Sequence, residues 1–210
     1  MGRGLARIRF VAGLLALLPA FGLSVAAAQE LPELPQVDQV PVNMSVRYYD
    51  VDGRRVSDAV EAMRFAGPLG YEAETRTSGS YYMQYELTPR GCSLTLLEIP
   101  LEVEILYPNW TGYDRARRSD RERWDARMHV LTVHENVHAL IAFLGMIETY
   151  NEVIQDGPQP DCEALQERVR SMVDAANDRL RGWQRDYDRV TDHGIDQVDF
   201  DLQAFMAERL

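Results

Sequence analysis

Lysine is absent from this 210-residue chain; apart from four histidines, every basic residue is one of 22 arginines. That substitution reflects genome composition rather than chemistry and excludes no function. The general shortage of positive charge does exclude something. Against 33 acidic residues the net charge is −11, and so acidic a chain lacks the basic patches that nucleic acid or an anionic membrane would need. Cysteine is also scarce. Cys92 and Cys162 show no CxxC spacing and no thiolate-stabilising neighbours, so a reactive dithiol is not indicated and one Cys92–Cys162 disulfide is expected in an oxidising compartment. There is no internal repeat and no low-complexity tract. Outside the N-terminus, no segment reads as long and apolar enough to span a bilayer.

The N-terminus is read as a signal peptide, residues 1–28. Arg3, Arg7 and Arg9 form its positive region, Phe10 to Val25 its apolar region, and Ala26 to Ala28 the small-residue cleavage site. The apolar stretch is short for a membrane anchor and runs into polar sequence, so export with cleavage before Gln29 is expected, with no stable membrane insertion. Cleavage removes three arginines and no acidic residue, leaving 182 residues at net charge −14. That length suits one domain, residues 43–210, behind an extended leader at 29–42 that carries Pro32, Pro35 and Pro41.

Within the domain, Met44 to Val51 reads as a strand and Asp58 to Ala66 as a short helix capped by Ser57. Alternation from Tyr81 to Thr88, a Pro89-Arg90-Gly91 turn and a returning strand predict a hairpin. The returning strand changes parity between Leu96 and Ile99, which suggests a β-bulge, and Pro100 suggests an edge position there. Helical periodicity then runs from about Ser119 to Ile154. The stretch Val130 to Ile147 is so apolar that it must be buried most of the way round. The breaker QDGPQPD, residues 155–161, separates this helix from a second, Cys162 to Asp188, and a short helix follows near Leu202. The fold class is therefore α+β: a small antiparallel sheet packed on a long helical hairpin.

The first long helix contains VHENVHAL, Val133 to Leu140. His134, Glu135 and His138 form H-E-x-x-H. Residues four apart on a helix share a face, so both imidazoles can reach one zinc ion, with Glu135 placed to take a proton from its water. Three surface residues would be the plainer explanation, but the flanks Val133, Val137, Leu140 and Ile141 are apolar, and buried polar groups need partners. His129, nine residues before His138, faces away.

A catalytic zinc takes three protein ligands. A third histidine six residues after His138 is absent, since that position is Leu144. Glu148, Glu152, Glu163, Glu167, Asp188 and His193 are the remaining candidates. In an antiparallel hairpin the level of residues 134–138 is met near residues 178–182, and the glutamates lie roughly 20 Å off at about 1.5 Å per residue. The loop YDRVTDHG, Tyr187 to Gly194, is nearest. His193 is the expected third ligand and Asp188 the alternative.

HENVH followed some fifty residues later by YDRVTDHG, with the preceding YYDVDG strand and YELTPRGCSL hairpin, resembles a bacterial family labelled predicted secreted zinc-dependent proteases. The similarity runs from about Tyr48 to Gly194. It implies a zincin-like metallopeptidase and names no substrate.

The expected function is a secreted or periplasmic zinc peptidase acting on peptide or protein substrates. Glu135 would be its general base, Tyr187 a donor to the oxyanion, and Asp188 and Thr191 supports for His193. The strand Leu101 to Ile105 is the candidate edge for an extended peptide. Two alternatives share the motif: a non-catalytic exported protein with a closed structural zinc, in which Asp188 and His193 both bind the metal, and a zinc amidase acting on a cell-wall bond. No oligomeric state is read from the sequence.

Overall fold

In LEVEILY the apolar residues Leu101, Val103, Ile105 and Tyr107 alternate with Glu102, Glu104 and Leu106, and all four of the first set are buried. They belong to the central strand of the fold. The computed structural model describes residues 38–210; the signal peptide and leader residues up to 37 lie outside the described residues. In chain order the elements are β1 (Val42–Val51), α1 (Val56–Ala66), β2 (Glu74–Gly79), β3 (Tyr82–Thr88), β4 (Gly91–Glu98), β5 (Leu101–Trp110), α2 (Arg118–Gln155), α3 (Cys162–Val190) and α4 (Leu202–Ala207).

The class is α+β, with two sheets packed on a long helical pair. The larger sheet has the order β1-β5-β2. β2 pairs antiparallel to β5, from Glu74 opposite Leu106 to Gly79 opposite Leu101. β1 runs parallel to β5, so this sheet is mixed. β3 and β4 form the separate antiparallel hairpin expected from the Pro-Arg-Gly turn.

Several expectations need correction here. The parity change is a bulge within β4, slightly earlier than expected: adjacent Gln84 and Tyr85 of β3 pair with Leu96 and Leu94, so Thr95 is the extra residue and the buried parity passes from Cys92 to Leu97 and Ile99. The chain then leaves the hairpin at Glu98, and Ile99-Pro100 carries it into β5 of the other sheet. Pro100 accordingly precedes β5, and β5 is central rather than an edge. Ser57 does not cap α1: Arg55 is the N-cap, with Asp58 reaching back to its backbone N–H at 3.2 Å. α2 does carry an eighteen-residue window apolar enough to cross a membrane, with mean hydropathy 1.5; 56% of that window is buried inside the fold, as befits a core helix.

The hairpin of α2 and α3 supplies nearly half of the buried apolar residues. Phe143 and Met146 of α2 interdigitate with Val169, Val173 and Leu180 of α3 in one cluster that also includes the β5 face. Burying each such side chain stabilises by about 1.5–3 kcal/mol. Gly145 permits this approach, because a Cβ there would land 2.3 Å from Leu180. At the breaker end, Cys92 of β4 is bonded to Cys162, the first residue of α3, and a backbone bridge between Cys92 and Gln159 lies beside the disulfide.

Candidate metal centre

His134 and His138 sit at mid-length on α2, both buried. Asp188 faces them from the last turn of α3. His134 Nε2 lies 3.2 Å from Asp188 Oδ1, His138 Nε2 lies 2.9 Å from it, and the two Nε2 atoms are 3.2 Å apart. Two donors on a tetrahedral zinc at 2.0–2.1 Å would be about 3.3 Å apart, so this triangle has the dimensions of three metal ligands. Among the described residues, His134, His138 and Asp188 form the group whose donor atoms converge in this way.

The hydrogen bonds behind the rings fix which nitrogens are bare. Gln184 donates its amide N–H to the His138 carbonyl at 2.9 Å, which turns its Oε1 toward His138, and His138 Nδ1–H donates to that oxygen at 2.5 Å. His134 Nδ1–H donates to Gln197 Oε1 at 3.1 Å, and the same oxygen accepts the hydroxyl of Tyr187. With both Nδ1 atoms protonated, both Nε2 lone pairs point at one carboxylate oxygen. Such a set of acceptors needs a cation among them, either a proton or a metal ion.

The electrostatics agree. Burial alone would raise the Asp188 carboxyl, but hydrogen bonds and charge from the two histidines outweigh it and hold Asp188 well below the usual carboxylate range. Burial would lower His138, yet the hydrogen bond and charge of Asp188 raise it. Glu135 is pushed up by burial, with the neighbouring histidines offsetting only part of the effect.

Glu135 and the three donors line a cleft of about 870 Å³. One wall is α2 from Ala126 to His138; the other is the loop Leu69 to Ala73 with the start of β2. Thr75 of β2 donates to the Glu135 carbonyl at 3.1 Å, and Arg127 of α2 donates from Nε and Nη2 to the two carboxylate oxygens of Glu72 just before β2, so strand and helix are held in register. The strand beside the site is thus β2, not the segment Leu101 to Ile105, which is covered on both edges by β1 and β2.

The sequence-predicted residues divide. His134, Glu135, His138 and Asp188 are brought together. His193 is not in the donor triangle: its side chain is half exposed, and its Nδ1 stands 3.7 Å from Asp188 Oδ1, on the rim. Asp188, its stated alternative, stands at the third corner of the triangle instead. The reason is axial stagger, since His138 meets Gln184 and His134 meets Asp188, six residues further along α3 than an even hairpin gives. Tyr187 is also corrected. It is fully buried behind the site, its ring stacked on His134 at 4.8 Å, with its hydroxyl committed to Gln197, so it does not face the cleft as an oxyanion donor. Thr191 does not brace His193; its hydroxyl donates to the Tyr187 carbonyl at 2.8 Å and ends α3. Val133, taken as a buried flank, is exposed.

Gln184 and Gln197 were missed. Gln184 had a signal, lying four residues before Asp188 on the same face of α3. Gln197 had none, because it lies in a short 3-10 turn beyond Gly194. Gly194 itself is required. Its φ is +93°, and a Cβ there would press on the His134 ring at 3.3 Å.

Residues 46–194 match the family model described as "Bacterial protein of unknown function (DUF922)". That span begins in β1 and ends at the glycine backing His134. No curated protein and no solved structure matches the chain.

Proposed function

This chain belongs to the bacterial family of unknown function DUF922, and we propose that it is an exported zinc-dependent peptidase of zincin-like organisation. The observation that carries the reading is the convergence of two bare imidazole nitrogens and a carboxylate oxygen, 2.9–3.2 Å apart, on the floor of an open cleft with Glu135 alongside. Two histidines and a carboxylate are a hydrolytic zinc set. They also suit ferrous iron; the buried carboxylate adjoining the first ligand favours a hydrolase.

His134, His138 and Asp188 would hold the ion, and Gln184 and Gln197 would keep both rings in the ligating tautomer. Zinc bound there would supply a Lewis acid and bring a water molecule's pKa toward neutrality. Glu135 would take the proton of the attacking water and return it to the leaving amine. The free edge of β2, running beside α2 at the cleft wall, is suited to align an extended peptide by strand pairing. The opening of the cleft onto the donors, with His193 outside the triangle, favours this reading over a closed structural zinc.

The test uses the mature chain, residues 29–210. Metal analysis should find about one zinc per chain, and a panel of protein, peptide and cell-wall substrates should show hydrolysis of peptides. Glu135→Gln should keep the metal and lose about 10²- to 10⁴-fold in rate, the usual contribution of a general base. Full activity in that variant overturns the role of Glu135. Hydrolysis of cell-wall amides alone makes the protein an amidase.

A further inference from the structure

Three non-glycine residues among the described ones have left-handed backbone: Leu69 (φ 51°), Asp192 (φ 44°) and His193 (φ 52°). All three line the metal cleft. They lie on two loops, one leading into β2 and one leaving α3, and the rings of Tyr71 and His193 meet between them with centroids 5.3 Å apart. Strain of this kind is retained where the surroundings impose it, and it concentrates at binding sites.

Each loop presents an aliphatic side chain to solvent at the cleft. Leu69 is 86% exposed and Ile195 is 76% exposed. A leucine that exposed gains almost nothing from folding, and glycine or asparagine would hold its backbone more cheaply. Ile195 follows Gly194, where an added Cβ would meet the His134 ring at 3.3 Å, so it lies close beside the donor triangle. The neighbouring carboxylates Glu72 and Glu74 are engaged by Arg127 and Arg76, so each negative charge beside Leu69 and Tyr71 is paired.

We propose that Leu69, Tyr71 and Ile195 form a specificity subsite that takes a large apolar side chain, of the leucine or phenylalanine class, flanking the peptide bond at the metal. This deepens the peptidase reading and rests on it. The occupant follows from the placement: both loops line the cleft that holds the donor triangle, and an apolar side chain lying against them covers surface that water otherwise wets.

Amino-acid hydroxamates bring their own chelating head and read the subsite without turnover. Glycine, leucine, phenylalanine and aspartate hydroxamates are titrated calorimetrically into the zinc-loaded mature protein. The leucine and phenylalanine probes should bind about tenfold or more tighter than glycine, and aspartate should gain nothing. Leu69→Asn, which tolerates the left-handed backbone, combined with Ile195→Ser should bring the leucine-to-glycine ratio to within about threefold. Equal affinities, or a preference that survives both substitutions, overturns the subsite. Mapping cleavage sites in a mixed peptide library separates the two claims. Hydrolysis with no apolar enrichment overturns the subsite alone, whereas hydroxamate discrimination without any hydrolysis supports the subsite and overturns the peptidase. Failure of every hydroxamate to bind overturns both.

Discussion

Gln184→Met perturbs the tautomer of His138 at the candidate metal centre. Methionine keeps the length and unbranched shape of glutamine while removing both hydrogen bonds to His138, the 2.5 Å contact at Nδ1 and the 2.9 Å contact at its carbonyl. With no acceptor at Nδ1, the metal-free His138 is free to carry its proton on Nε2 and donate to Asp188 Oδ1, 2.9 Å away. Zinc must then reverse that choice and leave a buried Nδ1–H unsatisfied, at about 1–3 kcal/mol. That range is roughly 5- to 150-fold in affinity and brackets the 10- to 100-fold loss usual for partners behind a metal ligand. Competition for zinc against a chromophoric chelator measures it directly. Gln166→Met is the control, since Gln166 lies on the same helix and bonds only the exposed Tyr85 hydroxyl. A Gln184→Met protein with native circular dichroism and zinc affinity within twofold of the parent would falsify the claim that Gln184 sets the tautomer.

Asp188→Ala should cost more zinc affinity than Gln184→Met, and His193→Ala should cost at most about tenfold; the reverse order would return the ligand role to His193. The metal-free protein should depend on pH through His138. Its pKa in the folded state is raised, so its contribution is fully present below about 6.5 and lost as pH rises through the raised value. Zinc competes with that proton, so melting curves with and without saturating zinc should draw further apart as pH rises, and convergence above neutrality refutes the assignment. Removing the disulfide by Cys92→Ala with Cys162→Ala frees a loop with sequence separation 70, which should lower stability by about 4 kcal/mol in urea titrations. A loss under about 1 kcal/mol would mean the unfolded chain is not constrained by it.

The parts of the fold legible in sequence were those with strong patterns. α2 announced itself by helical periodicity and near-total apolarity, and the β3–β4 hairpin by alternation around a turn. β2 was invisible because ETRTSG contains no apolar residue; its place is set by pairing with β5 and by contacts with α2, which are tertiary facts. The parity change in the returning strand was a real signal of a bulge, but its exact residue, Thr95, is set by pairing with β3, and the change of sheet after Glu98 left no separate mark. Similarly, H-E-x-x-H was readable because a helix fixes the relation of its own residues. Asp188 and His193 could not be ranked from sequence, since the choice depends on the stagger between two helices, and six residues of stagger moves the meeting point by about 9 Å. Tyr187 shows the same limit: adjacency to a ligand says nothing about whether a side chain faces the cleft or the core.

The disulfide and the donor triangle fasten α3 at its two ends. Cys162 opens the helix and Asp188 lies near its close, about 39 Å apart along a rod of this kind. A sideways shift of 1 Å at the cystine tilts such a rod by only about 1.5°, a lever too long to disturb ligands at the far end. Perturbations there should therefore combine additively, as they do between sites more than about 10 Å apart without shared partners. Reduction should make the protein easier to unfold while leaving zinc affinity nearly unchanged. In a double-perturbation cycle of reduction against Asp188→Ala the coupling energy should fall within about 0.5 kcal/mol of zero. Durability and the geometry of the donor triangle are thus separately adjustable properties of a single helix.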